Sequence, residues 1–262
     1  MALEDYIAGL QAVLEQIKSQ QLTNIKRAGQ VVAAAISAGG IIHTFGTGHS
    51  HLIAHEVFFR AGGIAAINPI LDERLIFLKG ALESSRAERE SGFASKLITR
   101  EDVREEDAAI IISNSGRNAV PVEMALEMKS KGVKVIAITN LEQSLASAAT
   151  HSSGKRLCEI ADVTIDNCVP KGDALLSLPG ANSKLGPSST VAGAAIINSI
   201  IVAAVSELLE RGEPVPVLPS ANLDGVSENT LRNILAPYKS RIKYLDVDES
   251  TPANNAKGHG RD

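Results

Sequence analysis

Two short segments of this chain share one design. Residues 41–50 read Ile-Ile-His-Thr-Phe-Gly-Thr-Gly-His-Ser, and residues 109–118 read Ala-Ile-Ile-Ile-Ser-Asn-Ser-Gly-Arg-Asn. Each runs from an apolar strand pattern into small, hydroxylated residues, and a helical pattern follows. Hydroxyls and backbone N–H groups that converge at a helix N-terminus make an anion site, because the unpaired amides there carry partial positive charge. In one parallel sheet both turns would lie at the carboxyl edge, where open α/β sheets take their ligands. The expected ligand is small and phosphorylated.

A group able to move protons should lie within reach of such an anchor. Glu56 is six residues past Ser50, about 9 Å along a helix at 1.5 Å per residue. That is about the length of a phosphosugar, so Glu56 is the candidate base, with His55 and His49 as further catalytic candidates. The competing expectation for Glu56 is an ion pair with Arg60 at i+4. His51 and His55 share a helix face and would suit zinc, but no spaced third ligand accompanies them, so no metal is expected. A dinucleotide site is disfavoured too. His51 holds the place of the third fingerprint glycine, and no acidic residue follows about 20 positions on. No cofactor is expected.

Ser113-Asn114-Ser115-Gly116 after an aliphatic strand resembles the Ser-x-Ser-Gly phosphate loop of SIS (sugar isomerase) domains. Phe45-Gly46-Thr47-Gly48-His49-Ser50 is similar to the first sugar-phosphate loop of the same family. The resemblance covers roughly residues 30–210, nearest a stand-alone branch close to the phosphoheptose isomerases. It implies a five-stranded parallel sheet, dimers or tetramers, and sites at subunit interfaces for phosphorylated sugars. The phosphate would be held by Ser113, Asn114, Ser115, Gly116 and Arg117, with Gly48 and Ser50 on the first loop. Asn118 stands where the family usually has Ser or Thr, and its amide can still donate. Ser188, Ser189 and Thr190, opening a long apolar helix, would complete the site or serve only as a helix cap. The function implied is aldose–ketose isomerisation of a phosphosugar. The alternatives are a non-catalytic phosphosugar sensor and an etherase-type lyase acting on N-acetylmuramic acid 6-phosphate.

The elements that must position these residues follow from periodicity. Strands are expected at 41–45, 64–67, 108–112, 133–139 and 163–166, with helices between them, giving an α/β three-layer sandwich with a five-stranded parallel sheet. Two helices, 3–19 and 22–37, precede it as an N-terminal extension over residues 1–38, with apolar stripes suited to packing on another copy of the chain. The sheet domain is expected over 39–212, and a peripheral segment over 213–262 that ends in a polar, disordered tail. Residues 68–100 read as an insertion at the ligand edge: a lid, an oligomer contact, or a solvated surface loop with a helical turn. Residues 170–187 read as a loop, and 191–205 as an apolar stretch too broken to span a membrane.

Composition sets the remaining bounds. The chain has 262 residues, 44% of them apolar, with a net charge of −4 and no Trp. It can bury a full aliphatic core but lacks the overall basic balance of a nucleic-acid binder, so neither nucleic acid nor membrane is expected as a partner. Two cysteines ten residues apart make no disulfide framework, and the chain reads as a cytoplasmic protein.

Overall fold

A computed structural model of the chain describes residues 1–245; the tail from 246 to 262 lies outside the described residues. Strands β1 (Ile42–Gly46), β2 (Ile67–Pro69), β3 (Ala108–Ile112), β4 (Lys134–Thr139) and β5 (Val163–Asp166) form one parallel sheet in the order β2-β1-β3-β4-β5. The helices are α1 (Ala2–Ser37), α2 (Ser50–Glu56), α3 (Ala81–Ala87), α4 (Phe93–Ile98), α5 (Ala119–Ser130), α6 (Leu141–Leu145), α7 (Ser189–Glu210) and α8 (Glu228–Leu235).

The strands read as unbroken apolar runs because both faces are buried. Side chains alternate across the sheet. Ile110 and Ile112 join one core with Val32, Ile53 and Ile197 of α1, α2 and α7. Ala109 and Ile111 join the other with Leu75, Phe93 and Met124, against α3, α4 and α5. The fold is the expected α/β sandwich.

The N-terminus is one 36-residue helix where the spacing predicts two. No Gly or Pro interrupts it between Gln20 and Leu22, and Val13, Ile17, Gln21, Ile25, Ala28 and Val32 form one continuous buried stripe. Gln21 belongs in that stripe because its side-chain oxygen accepts from the Asp166 amide at 3.2 Å. At Gly29 an added Cβ would sit 2.5 Å from the Ala203 methyl, so the glycine is what lets α1 approach α7 closely.

Helix α7 is the long apolar helix expected from Ser188 onward; what it corrects is only the expectation that residues 191–205 are too broken to span a membrane. It runs unbroken for 22 residues, with a mean hydropathy of 1.9 over an 18-residue stretch, and is long and apolar enough to cross a membrane. Asn198 and Ser199 do not interrupt it, since their side chains bond the carbonyls of Ala194 and Ala195, four residues back. Its buried face, including Ile196, Ile197, Ile200 and Ile201, packs within the α1–α2 core.

Smaller differences cluster where backbone outside the sheet competes for pairing. Helix α2 stops at Glu56 rather than Ala61, and β2 begins at Ile67 rather than Ile64. Ile64 pairs antiparallel with Val217 of the C-terminal segment instead. The expected loop 170–187 contains a hairpin, β6 (Ala174–Leu176) with β7 (Leu185–Pro187). The C-terminal segment is anchored in the body, with Leu218 and Ile242 buried.

Candidate functional site

Strands β1 and β3 are neighbours, with Gly46 opposite Ile112, while β2 lies on the other side of β1. Successive connections therefore depart in opposite directions from the β1/β3 pair, and a crevice opens at their carboxyl ends. The two loops singled out in the sequence emerge there side by side. They border a cavity of about 350 Å³, at the small end of the range for ligand pockets.

The first loop brings Thr47, Gly48, His49 and Ser50 to the cavity, and the second brings Ser113, Asn114, Ser115 and Asn118. Gly116 sits beneath them at φ +59°. A Cβ there would lie 2.9 Å from Thr139 Oγ1 and 3.0 Å from Ser144 Oγ, so both conformation and space demand glycine. Its amide donates to Ser113 Oγ at 3.1 Å, which fixes the tight turn. Asn114 is a scaffold residue: its Oδ1 accepts from Asn167 at 2.8 Å, and its carbonyl accepts from the Asn140 amide at 3.0 Å. Ser115 lines the cavity, and its hydroxyl has no hydrogen-bond partner among the described residues.

The remaining sequence candidates divide. His49 lines the cavity and tilts against Phe77, ring centroids 5.0 Å apart. Arg117 does not line it; its carbonyl accepts from Thr150 Oγ1. His55 is exposed and stacks on Phe58 at 5.9 Å. Glu56 pairs with Arg60 at 3.0 Å, the i+4 partner, and neither lines the cavity. Ser189 lines it, whereas Ser188 is fully buried and Thr190 is exposed.

Two acids that sequence reading missed stand at the cavity. The first is Glu88, immediately after α3. It accepts from Thr47 Oγ1 at 3.0 Å and from Asn118 Nδ2 at 2.9 Å, so one carboxylate ties both ligand loops together. Its carbonyl also accepts from the Val120 amide at 3.1 Å, at the start of α5. Burial pushes the Glu88 carboxyl above the usual glutamate range, against the opposing pull of the Thr47 hydrogen bond and of Arg89. Residues 68–100 are thus neither free loop nor bare surface, because Phe77, Ser84, Ser85 and Glu88 form one wall of the cavity. Ser84, Ser85 and Glu88 fall at helical three- and four-residue spacing, so α3 brings them to one face.

The second acid is Asp173, at φ +72° ahead of the hairpin. Its Oδ1 accepts from the Ser188 amide at 2.9 Å and the Ser189 amide at 2.6 Å, and its Oδ2 accepts from Ser189 Oγ at 2.8 Å. The first amides of α7, where the sequence places a ligand contact, already hold a carboxylate of the chain itself. What the cavity offers is therefore one open hydroxyl-and-amide loop beside a partly buried carboxyl group.

The family profile described as "SIS domain" matches residues 5–140. A UPF0309 protein of Geobacillus thermodenitrificans (strain NG80-2) is 42% identical over 243 residues, covering 93% of this chain and 97% of the relative. A second UPF0309 protein, from Listeria innocua serovar 6a, is 39% identical over 246 residues, covering 94% and 99%. Among solved structures, phosphoheptose isomerase GmhA from Neisseria gonorrhoeae shares the fold, with a TM-score of 0.55 at 14% identity, over 78% of this chain and 97% of that one. With the profile spanning half of its length and these relatives nearly all of it, the chain belongs to the SIS-domain family.

Proposed function

We propose that the chain binds a phosphorylated sugar in the β1/β3 crevice and isomerises it between aldose and ketose forms by proton transfer. The observation that carries this reading is the convergence, in one cavity, of the Ser113–Gly116 loop with Glu88. In this reading Ser113, Ser115 and the backbone amides around Gly116 hold the phosphate, and His49 assists ring opening. Glu88, ionised, takes the proton from carbon two to give an enediolate and returns it to carbon one, while the hydroxyl proton on O2 passes to O1. A raised pKa makes it a stronger base near neutral pH than an ordinary glutamate. The base is thus assigned to Glu88 rather than to Glu56, which is engaged with Arg60 outside the cavity.

The test is calorimetric titration of sugar phosphates into the parent and into Ser115→Ala. Loss of a hydrogen bond to a charged group is expected to weaken binding about ten- to hundredfold. Equal affinity in a folded Ser115→Ala variant would remove the phosphate from this loop. Self-association is a second part of the proposal. Leu3, Ile7 and Leu22 of α1 and Val202 and Leu209 of α7 remain 48–72% exposed, more apolar surface than two packed helices of a monomer need leave open. Light scattering should give a mass at least twice the 27.5 kDa of one chain; a monomer mass at micromolar concentration would count against it.

A further inference from the structure

The charge on the cavity wall has the sign opposite to that expected for a phosphate site. Two carboxylates, Glu88 and Asp173, line it, and no Lys or Arg does among the described residues. The cation nearest to Glu88 is Arg89, at 3.6 Å, and it is largely turned to solvent and bonded to Ser85. The Asp173 carboxylate is offset by the α7 amides and by the hydroxyls of Ser188, at 3.3 Å, and Ser189, at 2.8 Å, rather than by a cation. A phosphate held here relies on dipoles alone, and those dipoles are gathered on the Ser113–Gly116 side. Beyond that loop the Lys/Arg-free wall carries two carboxylates, Glu88 and Asp173, among neutral hydroxyl and amide side chains and His49, around about 350 Å³.

We infer that Glu88 and Asp173 select by charge at the sugar end of the ligand. The site takes phosphomonoesters whose remaining groups are neutral or cationic hydrogen-bond donors, such as hydroxyl or ammonium, and rejects those carrying a second anionic group. This deepens the phosphosugar reading and rests on it. A second carboxylate or phosphate on the ligand would stand against two like charges in a partly desolvated space, where such juxtaposition is heavily penalised. An ammonium would meet two acceptors with no competing cation. The same logic excludes sugars bearing an acidic ether substituent, which sets aside the lyase alternative for muramic-type substrates.

Three probes that carry the same phosphate at carbon six separate the possibilities: glucosamine 6-phosphate, glucose 6-phosphate and 6-phosphogluconate. Titrated into the full chain at neutral pH, the ammonium compound should bind at least as tightly as the neutral one. The carboxylate compound should bind about tenfold or more weakly. In Glu88→Gln the ratio between the ammonium and carboxylate compounds should shrink several-fold. Asp173→Asn, accepted only if its melting profile shows the fold intact, should shrink it as well. Equal binding of all three by the parent, or an unchanged ratio in Glu88→Gln, overturns charge selection while leaving the phosphate site standing. Failure of glucose 6-phosphate, glucosamine 6-phosphate and inorganic phosphate alike to bind overturns both.

Discussion

The two ends of the sheet each bury an acid, and the acids are treated in opposite ways. At the amino end, Asp107 precedes β3 with its side chain fully buried. It is bonded by His43 Nε2 at 3.1 Å, by the Ile41 and Arg104 amides at 2.8 Å each, and by two nitrogens of Arg241. Burial alone would raise its pKa, but these donors outweigh burial and hold it far below the usual aspartate range. At the carboxyl end, Glu88 has two neutral donors and one solvent-exposed cation, Arg89, at 3.6 Å, and burial prevails. An acid whose charge is over-satisfied is structural, because it cannot take up a proton at ordinary pH. One left under-satisfied is able to exchange protons, and it lies among the ligand loops. In the proposed reading, this difference separates a structural fastening, Asp107, from the proton-transfer group, Glu88.

This contrast can be broken at either end. The larger effect is expected at Asp107. Replacing it by Ala leaves Arg241, itself largely buried, and His43 without their partner, and breaking a buried pair in this way costs about 3–5 kcal/mol. Chemical denaturation should show that loss. It should be full at neutral pH and shrink progressively as the pH falls below the ordinary aspartate value toward the lowered one, because a depressed pKa contributes stability that is present above the unfolded value and lost as pH falls to the folded value. A stability within a few tenths of a kcal/mol of the parent would show that the network does not fasten the C-terminal segment.

A smaller effect of opposite sign is expected at Glu88. Its folded pKa lies above its unfolded one, so its contribution to stability is fully present below the unfolded value near 4.3 and is lost as pH rises through the folded value. Glu88→Gln removes that ionisation. The melting temperature of the variant should therefore gain on that of the parent as pH rises from 4 to 8. A difference independent of pH would mean that Glu88 is as well compensated as an exposed glutamate, and the contrast with Asp107 would fail.

How far the sequence disclosed this depends on how local each signal is. The strands and both glycine-rich loops were legible because strand period, turn residues and helix start all fall within ten residues of one another. His43 lies inside the apolar strand β1, and Asn68 and Asp107 bond both of its ring nitrogens. Glu88 was hidden because its partners, Thr47 and Asn118, are 41 and 30 residues away, and a charged segment reads first as solvated surface. Asp173 was hidden for a similar reason, since nothing local says that an acid in a Gly-rich turn will cap a helix that starts 15 residues later. Glu56 drew attention by its distance along the helix, but the adjacent Arg60 is a local partner that competes for it. The join between the two N-terminal helix patterns was over-read at Gln20-Gln21, where a buried glutamine satisfied by Asp166 carries the stripe through.

The most direct measurement is hydrogen–deuterium exchange at carbon two of a bound sugar phosphate in heavy water, followed by NMR in the parent, Glu88→Gln and Glu56→Gln. The parent and Glu56→Gln should exchange that proton at comparable rates. Glu88→Gln should exchange it about 10²–10⁴-fold more slowly while keeping its affinity for the ligand within a few-fold. Exchange that survives in Glu88→Gln but is lost in Glu56→Gln would contradict the assignment of the under-satisfied acid as the proton-transfer group.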